Sequence, residues 1–157
     1  MADINLFSLS NGITKLSSFS VSLERELQTL IEQNMQLFFG VTFLKSEYII
    51  TNGRIDSLGI DENNCPVIFE YKRSLNENVI NQGLFYLDWL LDHKADFQIL
   101  VMNILGFEKS KEIDWSMPCV MCIANDFTKY DEHAVNLMQR NIKLVRYKKF
   151  GNDMILF

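Results

Sequence analysis

The chain has 157 residues, of which 48% are hydrophobic and 12% aromatic, a composition that allows a well-formed core. No apolar stretch approaches the roughly 20 residues that a membrane helix needs, and the start MADINLFSLSNG lacks the basic residues of a signal peptide. Three widely spaced cysteines argue against a disulfide framework and favour a reducing, cytoplasmic location. The net charge of −5 lowers, without removing, the expectation of a nucleic-acid partner.

The length predicts a single domain over residues 1–157, since no linker or repeat interrupts it. The apolar ending fits a last strand and a fragment of a longer chain about equally well. After a variable segment to about Phe19, the predicted elements are a helix at 22–39, strands at 41–51, 54–61 and 67–71, a helix at 79–93, strands at 97–103 and 120–124, a helix at 126–139, and strands at 142–147 and 154–157. This order predicts an α/β fold, a mixed sheet with helices on its faces.

Local signals set the ends of several elements. Gly40 follows the first helix, as glycine often does just past a helical C-terminus. Asn52-Gly53 is a strong tight-turn signal between the first two strands, and Asp126 is the expected cap of the third helix. The segments 97–103 and 120–124 are predicted to be buried strands because they are short and almost wholly apolar.

Three charged residues lie where apolar strands would normally exclude them. Asp56 falls in the second strand of the predicted meander, and Glu70 and Lys72 end the third, two residues apart. Side chains alternate faces along a strand, so Glu70 and Lys72 project to the same side. Buried charges are costly unless they are paired or bound to a metal. Two carboxylates can hold Mg²⁺, and a nearby lysine can orient or deprotonate the water that attacks a phosphodiester.

The surrounding residues resemble a family. The residues that carry the resemblance are Glu24-x-x-Leu27 and Asn34, then Glu47, Gly53-Arg54-Ile55-Asp56 and Asp61, then Val67-Ile68-Phe69-Glu70-Tyr71-Lys72, then Gln82 and Tyr86. From Glu24 to Tyr86 the chain is similar to the PD-(D/E)XK nuclease superfamily, nearest its NucS-like and RecB-like branch. The resemblance implies a restriction-endonuclease-like fold, a mixed central sheet flanked by helices with an α-β-β-β-α-β core. It also implies Mg²⁺ or Mn²⁺ as cofactor.

The resemblance also assigns roles to individual residues. Asp56 and Glu70 match the metal-binding acids, and Lys72 matches the catalytic lysine. Glu24 matches an acid on the preceding helix that faces the metal. Gln82 and Tyr86, one helical turn apart, match the motif that trails the active site, and Gln82 is counted with the catalytic residues. The chain has Ile55 where the superfamily's name has proline, at a position that varies within the family.

A nucleic-acid partner, DNA favoured over RNA, would need a basic surface. The stretch 140–149 carries five basic residues and no acidic one. The residues expected to contact nucleic acid are Arg54, Arg73, Tyr86, Lys143, Arg146 and Lys148. The same basic stretch also fits the exposed face of a sheet edge. Cys119 and Cys122 resemble a metal knuckle only superficially, because residues three apart on a strand point to opposite faces and no second pair exists.

The sequence therefore predicts a metal-dependent nuclease domain that hydrolyses nucleic-acid phosphodiesters. The main alternative is a catalytically silent member of the same fold that binds nucleic acid or a protein. A third class, an unrelated α/β small-molecule domain, requires the spacing of Asp56, Glu70 and Lys72 to be coincidental. A homodimer is compatible with the sequence, and the substrate's structure is left open.

Overall fold

The computed structural model describes residues 4–20, 24–72 and 78–157. In chain order its elements are β1 (Leu6–Ser8), β2 (Thr14–Leu16), β3 (Ser18–Phe19), α1 (Glu24–Gln33), α2 (Met35–Phe39), β4 (Val41–Ile50), β5 (Gly53–Asp61), β6 (Pro66–Tyr71), α3 (Val79–Asp92), α4 (Lys94–Leu105), α5 (Phe107–Lys111), β7 (Cys119–Ala124), α6 (Lys129–Leu137), β8 (Asn141–Arg146), β9 (Lys148–Phe150) and β10 (Met154–Leu156). The predicted α/β class and the α-β-β-β-α-β core are confirmed.

The centre of the fold is a five-stranded mixed sheet in the order β4-β5-β6-β7-β8. The first three strands form an antiparallel meander, whereas β7 and β8 run parallel to β6. Ile50 pairs with Gly53, so the β4–β5 turn has two central residues, and Asn52 takes a left-handed φ of 63° there. The tight turn predicted from Asn52-Gly53 therefore lies one residue earlier, at Thr51-Asn52.

Helices cover both faces of this sheet. Leu27, Ile31 and Met35 of α1 and α2 pack against one face, together with Phe69 of β6. The apolar sides of α3 and α4 pack against the other face, together with Ile68. Every residue of β6 is buried, as its apolar run predicts. Cys119 and Cys122 of β7 belong to opposite faces, as predicted for residues three apart on a strand.

The first helix differs from its prediction. The single helix expected at 22–39 is two helices, α1 and α2, separated at Asn34, whose φ and ψ of −131° and 21° are not helical. The Asn34 side chain donates to the carbonyl of Leu30 at 2.9 Å, which caps the end of α1 locally. Gly40 ends α2 with a φ of 64°, as predicted. Residues 22 and 23 lie outside the described residues.

The strand predicted at 97–103 is wrong, because this segment lies within helix α4. Phe97 and Val101, four residues apart, face the core as a helical stripe. Ile99, Met102 and Ile104 are largely exposed, so the helix is apolar on its outer face as well. When nearly all residues of a segment are apolar, the hydrophobic pattern shows no period and cannot distinguish a buried strand from a helix. For this reason the core-facing stripe of α4 was not recognisable in the sequence.

Smaller corrections concern the start of α6 and the segment up to Phe19. The cap of α6 is Thr128 and not Asp126, because the Asp131 backbone N–H donates to the Thr128 hydroxyl at 3.1 Å. The segment before Phe19, expected to be variable, contains three short strands, of which β3 joins β9 and β10 in a separate sheet. No helix in the described ranges is both long and apolar enough to cross a membrane.

Candidate functional site

Asp56 and Glu70 lie side by side where the β5–β6 ladder ends. The last paired residues are Ser57 and Phe69. One step further, the Asp56 backbone N–H donates to Glu70 Oε1 at 3.3 Å, and the Tyr71 N–H donates to Asp56 Oδ2 at 3.1 Å. Each carboxylate therefore accepts a backbone hydrogen bond from the neighbouring strand, which fixes the two side chains against each other.

Both carboxyl groups are electrostatically strained in this position. Glu70 is only 3% exposed, and burial, followed by the charge of Asp56, raises its pKa to about 9. Burial also raises the pKa of Asp56, and the nearby charge of Glu47 acts in the same direction. The charge of Glu24, at the start of α1, contributes to the raised pKa of Glu70. Asp56 and Glu70 thus form an acidic site, and Glu24 is near enough for its charge to act on Glu70.

Lys72 lies on the same face of β6 as Glu70. Both side chains border Cys122, whose pKa is raised to about 12, mainly by burial and then by the charge of Glu70. The Lys72 side chain is 2% exposed, and its Nζ is 3.4 Å from Asp131 Oδ2 on α6 and 5.6 Å from the centre of the Phe127 ring. Asp56 and Glu70 converge as predicted, whereas the Lys72 ammonium contacts Asp131. The catalytic and metal-binding roles of the three residues stay predictions.

Asp131 is a site residue that the sequence analysis missed. Its Oδ2 accepts hydrogen bonds from the Thr128 N–H at 2.8 Å and the Thr128 hydroxyl at 2.9 Å, which closes a capping box. Although partial burial acts in the other direction, these bonds and the Lys72 ammonium hold the pKa of Asp131 below its ordinary value. The pattern Thr128-x-x-Asp131 could have identified the cap, but not the contact with Lys72.

A second missed group supports Asp56 from the opposite face of the sheet. Gln28 of α1 donates to the Asp56 carbonyl at 2.9 Å and to Glu32 Oε1 at 3.0 Å. Ser57, fully buried beside Asp56, donates to the same Glu32 oxygen at 2.6 Å and contacts the Tyr71 hydroxyl at 3.1 Å. These bonds tie α1 to β5 at Asp56. Their sequence signal is the spacing of four between Gln28 and Glu32, which places both on one stripe of α1.

Tyr86 of α3 reaches the acidic site, whereas Gln82 lies at its margin. Burial, then the charge of Glu70, raises the pKa of Tyr86, whose hydroxyl is hydrogen-bonded to the backbone of Arg54. Gln82 is exposed and lines a cleft with Tyr86. The Arg54 guanidinium is 3.5 Å from Glu47, which itself has an unusual φ of 50°. The backbone of Arg54 therefore lies close to the acidic site, whereas its side chain is exposed.

The predicted basic surface is divided by the fold. Lys143 lies beside Cys119, two strands from Glu70 and on the opposite face of the sheet. Arg146 is ion-paired with Asp126, at 3.0 Å, and with Glu132. Arg146 and the β9 residue Lys148 line the same cavity, of about 620 Å³. None of the three joins the acidic site, and β8 is an edge strand, as the alternative reading supposed. Arg73 lies outside the described residues.

The donor set suits a hard divalent cation. Within residues 4–20, 24–72 and 78–157, no group of three or more His, Cys, Asp and Glu side chains is arranged to hold a metal ion. Mg²⁺, however, keeps several waters and is commonly held by one or two carboxylates. Asp56 and Glu70 provide two such carboxylates, and their mutual repulsion is what a cation would relieve.

Similarities to solved structures establish the fold. A crystal structure of a repair endonuclease from Pyrococcus abyssi matches with a TM-score of 0.52 and 13% identity, over 90% of this chain and 65% of that chain. A structure of EndoMS in apo form matches with a TM-score of 0.50 and 15% identity, over 91% and 64%. The mixed sheet and its flanking helices therefore have the fold of these endonucleases.

The sequence itself gives the family. Residues 23–105 match the family described as the endonuclease NucS C-terminal domain, and the chain belongs to this family. An uncharacterized protein of Haemophilus influenzae (strain ATCC 51907 / DSM 11121 / KW20 / Rd) is 36% identical over 160 residues, covering 97% of this chain and 51% of the relative. The chain thus spans about half the length of that curated relative. The NucS-like part of the predicted resemblance is confirmed.

Proposed function

We propose that this chain is a PD-(D/E)XK-type nuclease domain that uses Mg²⁺ or Mn²⁺ to hydrolyse phosphodiesters in DNA. The observation that carries the proposal is the interlocked pair of acids, half-buried Asp56 and buried Glu70, with Lys72 on the same side of the sheet. A like-charged pair in a poorly hydrated position destabilises a fold unless a cation is bound there. Membership of the NucS C-terminal domain family supports a DNA substrate.

Asp56 and Glu70 would hold the metal, and Glu24 adds a third acid near them. When bound, the cation supplies charge neutralisation at the phosphate and a more acidic water. Gln28 and the Tyr71 N–H keep the Asp56 backbone and carboxylate in place. Because both restraints come from well-packed elements, the acidic oxygens are positioned before substrate arrives.

Lys72 would act on the attacking water and the phosphate. Its stem is buried and its ammonium is 3.4 Å from Asp131, which fixes the side chain on the Glu70 face. An ammonium in that position donates hydrogen bonds to a water or to a phosphate oxygen, and a lysine so placed can transfer a proton. Tyr86, hydrogen-bonded to the Arg54 backbone, closes the α3 side of the site.

The test is a cleavage assay with purified protein and labelled single-stranded, duplex and branched DNA. Cutting is expected with Mg²⁺ or Mn²⁺ and none with EDTA. Asp56→Asn should abolish cutting, whereas Asp153→Asn, an exposed aspartate outside the site, should leave it unchanged. Metal-independent cutting, or equal activity of the two variants, would overturn the proposal.

One observation favours a second candidate, a catalytically silent module with the same fold. Lys72 is already ion-paired with Asp131, and the described residues hold no three-ligand group. Such a module binds DNA or a protein without turnover. Binding of the DNA panel by folded protein, with no product at any metal concentration, would establish it. A homodimer, a cytoplasmic location and a single-domain organisation stay predictions.

A further inference from the structure

We infer that a cleft beside the acidic site binds a nucleobase of the nucleic acid, the base next to the cleaved phosphodiester. The cleft has a volume of about 360 Å³ and lies between the tip of the β4–β5 hairpin and the first turns of α3. Its lining residues are Asn52, Asn78, Asn81, Gln82, Phe85 and Tyr86. The inference rests on the proposed function in one respect, because the cleaved phosphodiester is placed at Asp56 and Glu70 by that proposal.

The chemistry of the lining selects for a base. Four of the six residues are carboxamides and two are aromatic, and none carries a charge. A carboxamide offers both donors and an acceptor, the combination that the edges of nucleobases present. A phosphate or another anion would instead need cationic side chains. The lining therefore suits a flat, neutral ligand with donors and acceptors on its edge.

The aromatic part offers a stacking surface. Phe85 is 48% exposed, and its ring centre is 5.8 Å from that of Tyr86 at an interplanar angle of 66°. An exposed phenylalanine ring costs hydration free energy unless a partner covers it, and base–aromatic stacking is a common cover in proteins that bind single strands. Tyr86 also borders the acidic site, so it forms a wall shared by both.

The cleft is built around a close backbone approach. A Cβ on residue 53 would lie 2.7 Å from Tyr86 Cε1, so only glycine lets the hairpin tip meet the ring. Asn78, the residue before α3, makes no side-chain capping bond. Within the described parts of the chain, no side-chain hydrogen bond is recorded for Asn52, Asn78, Asn81 or Gln82, so their carboxamides are available to a ligand.

The test measures whether these side chains respond to a base. A short labelled single-stranded DNA and a set of copies, each with one abasic nucleotide at a successive position, are titrated in EDTA, so that no bond breaks. Phe85→Ala and Asn81→Ala should each weaken binding of the unmodified strand, Phe85→Ala by at least about fivefold. The loss should disappear on the strand whose abasic nucleotide falls in the cleft. Phe107→Ala and Asn103→Ala, exposed positions outside the cleft, are the matched controls.

The results separate this inference from the nuclease proposal. Base-dependent binding that requires Phe85 supports the cleft even if the protein cuts nothing. Normal cutting combined with equal losses on unmodified and abasic strands would overturn the cleft alone. Absence of saturable binding, or losses equal to those of Phe107→Ala, would also overturn it. In an active protein, moving the abasic nucleotide should slow cutting at one position relative to the cleaved bond.

Discussion

Two charged pairs meet at the end of β6, and they are electrostatic opposites. Glu70 lies against Asp56 across the end of the β5–β6 ladder, a pair of acids that repel each other when both are ionised. Lys72, two residues further, lies against Asp131 of α6, a pair of opposite charge that also receives two bonds from Thr128. The first pair consists of two acids and has only the exposed Arg54 guanidinium acting on Asp56 from outside it, whereas the second pair contains its own counter-charge. This difference supports the proposed cation between Asp56 and Glu70, and it shows that Asp131 holds the Lys72 side chain in place.

The largest expected effect is on turnover. Lys72→Ala should reduce metal-dependent cleavage roughly 10²–10⁴-fold, because the ammonium that assists proton transfer is removed. Metal-induced stabilisation should persist, since the carboxylate pair is untouched. Lys45→Ala, an exposed lysine on β4, is the control. Steady-state cleavage rates of both variants measure turnover, and thermal melts with and without metal measure the metal-induced stabilisation. Full activity in Lys72→Ala would remove Lys72 from the mechanism.

The next effect concerns the like-charge pair itself. Glu70→Gln keeps an acceptor for the Asp56 N–H and removes the acid that must take up a proton on folding at neutral pH, so the metal-free melting temperature should rise. In the wild type, metal at ten times its dissociation constant should add about 1.4 kcal/mol, or roughly 3 °C. Glu70→Gln should lose most of that increment, whereas Glu62→Gln, in an exposed turn, should retain it. A flat wild-type response up to about 10 mM Mn²⁺ contradicts the metal site.

The pH dependence of metal-free stability follows from the same pair. The ordinary pKa of Glu70 is 4.5 and its folded value is about 9. Between these values the folded state binds more protons than the unfolded state, so the free energy of unfolding falls as pH rises. The contribution is complete below pH 4.5 and lost as pH passes through about 9. Denaturant unfolding from pH 5.5 to 8.5 in EDTA should show this slope, roughly 1.4 kcal/mol per pH unit at most, and Glu70→Gln should flatten it. An identical slope in that variant would refute the assignment.

The placement of Asp56 and Glu70 was largely predictable from the sequence, because it depends on the alternation of side chains along neighbouring strands. Glu70 and Lys72 share a face since they are two apart on β6, and the tight turn before β5 places Asp56 on the neighbouring strand. The contact between Lys72 and Asp131 was not predictable, because 59 positions separate the two residues and Asp131 has a sufficient local role in its capping box. Gln28 was missed for the same reason. It acts on Asp56 only through the packing of α1.

The helix α4 shows the other limit of sequence reasoning. The order of the core elements was correct, but segment 97–103 was assigned the wrong type. Binary pattern identifies a helix when its outer face is polar, and the outer face of α4 carries Ile99, Met102 and Ile104. The basic stretch 140–149 shows a third limit, although its role in nucleic-acid binding stays a prediction. Ion pairs formed in the fold neutralise Arg140 and Arg146, with Asp88 and Asp126 among their partners, and these acids are distant in sequence.

The smallest effect is the sharpest test of the comparison, because the same chemical change should have opposite signs at the two pairs. Asp131→Asn replaces a carboxylate by a carboxamide, as Glu70→Gln does. Here it should lower stability by about 1 kcal/mol, since the Thr128 bonds weaken and the Lys72 ammonium loses its counter-charge.

The lowered pKa of Asp131 means that its contribution to stability is present above pH 3.8 and lost as pH falls through the folded pKa. Thermal melts of the two variants at pH 7, with Asp153→Asn as an exposed control, compare the signs directly. Stabilisation by both substitutions would mean that Lys72 and Asp131 are not paired in solution, and destabilisation by both would mean that Asp56 and Glu70 share no unrelieved charge.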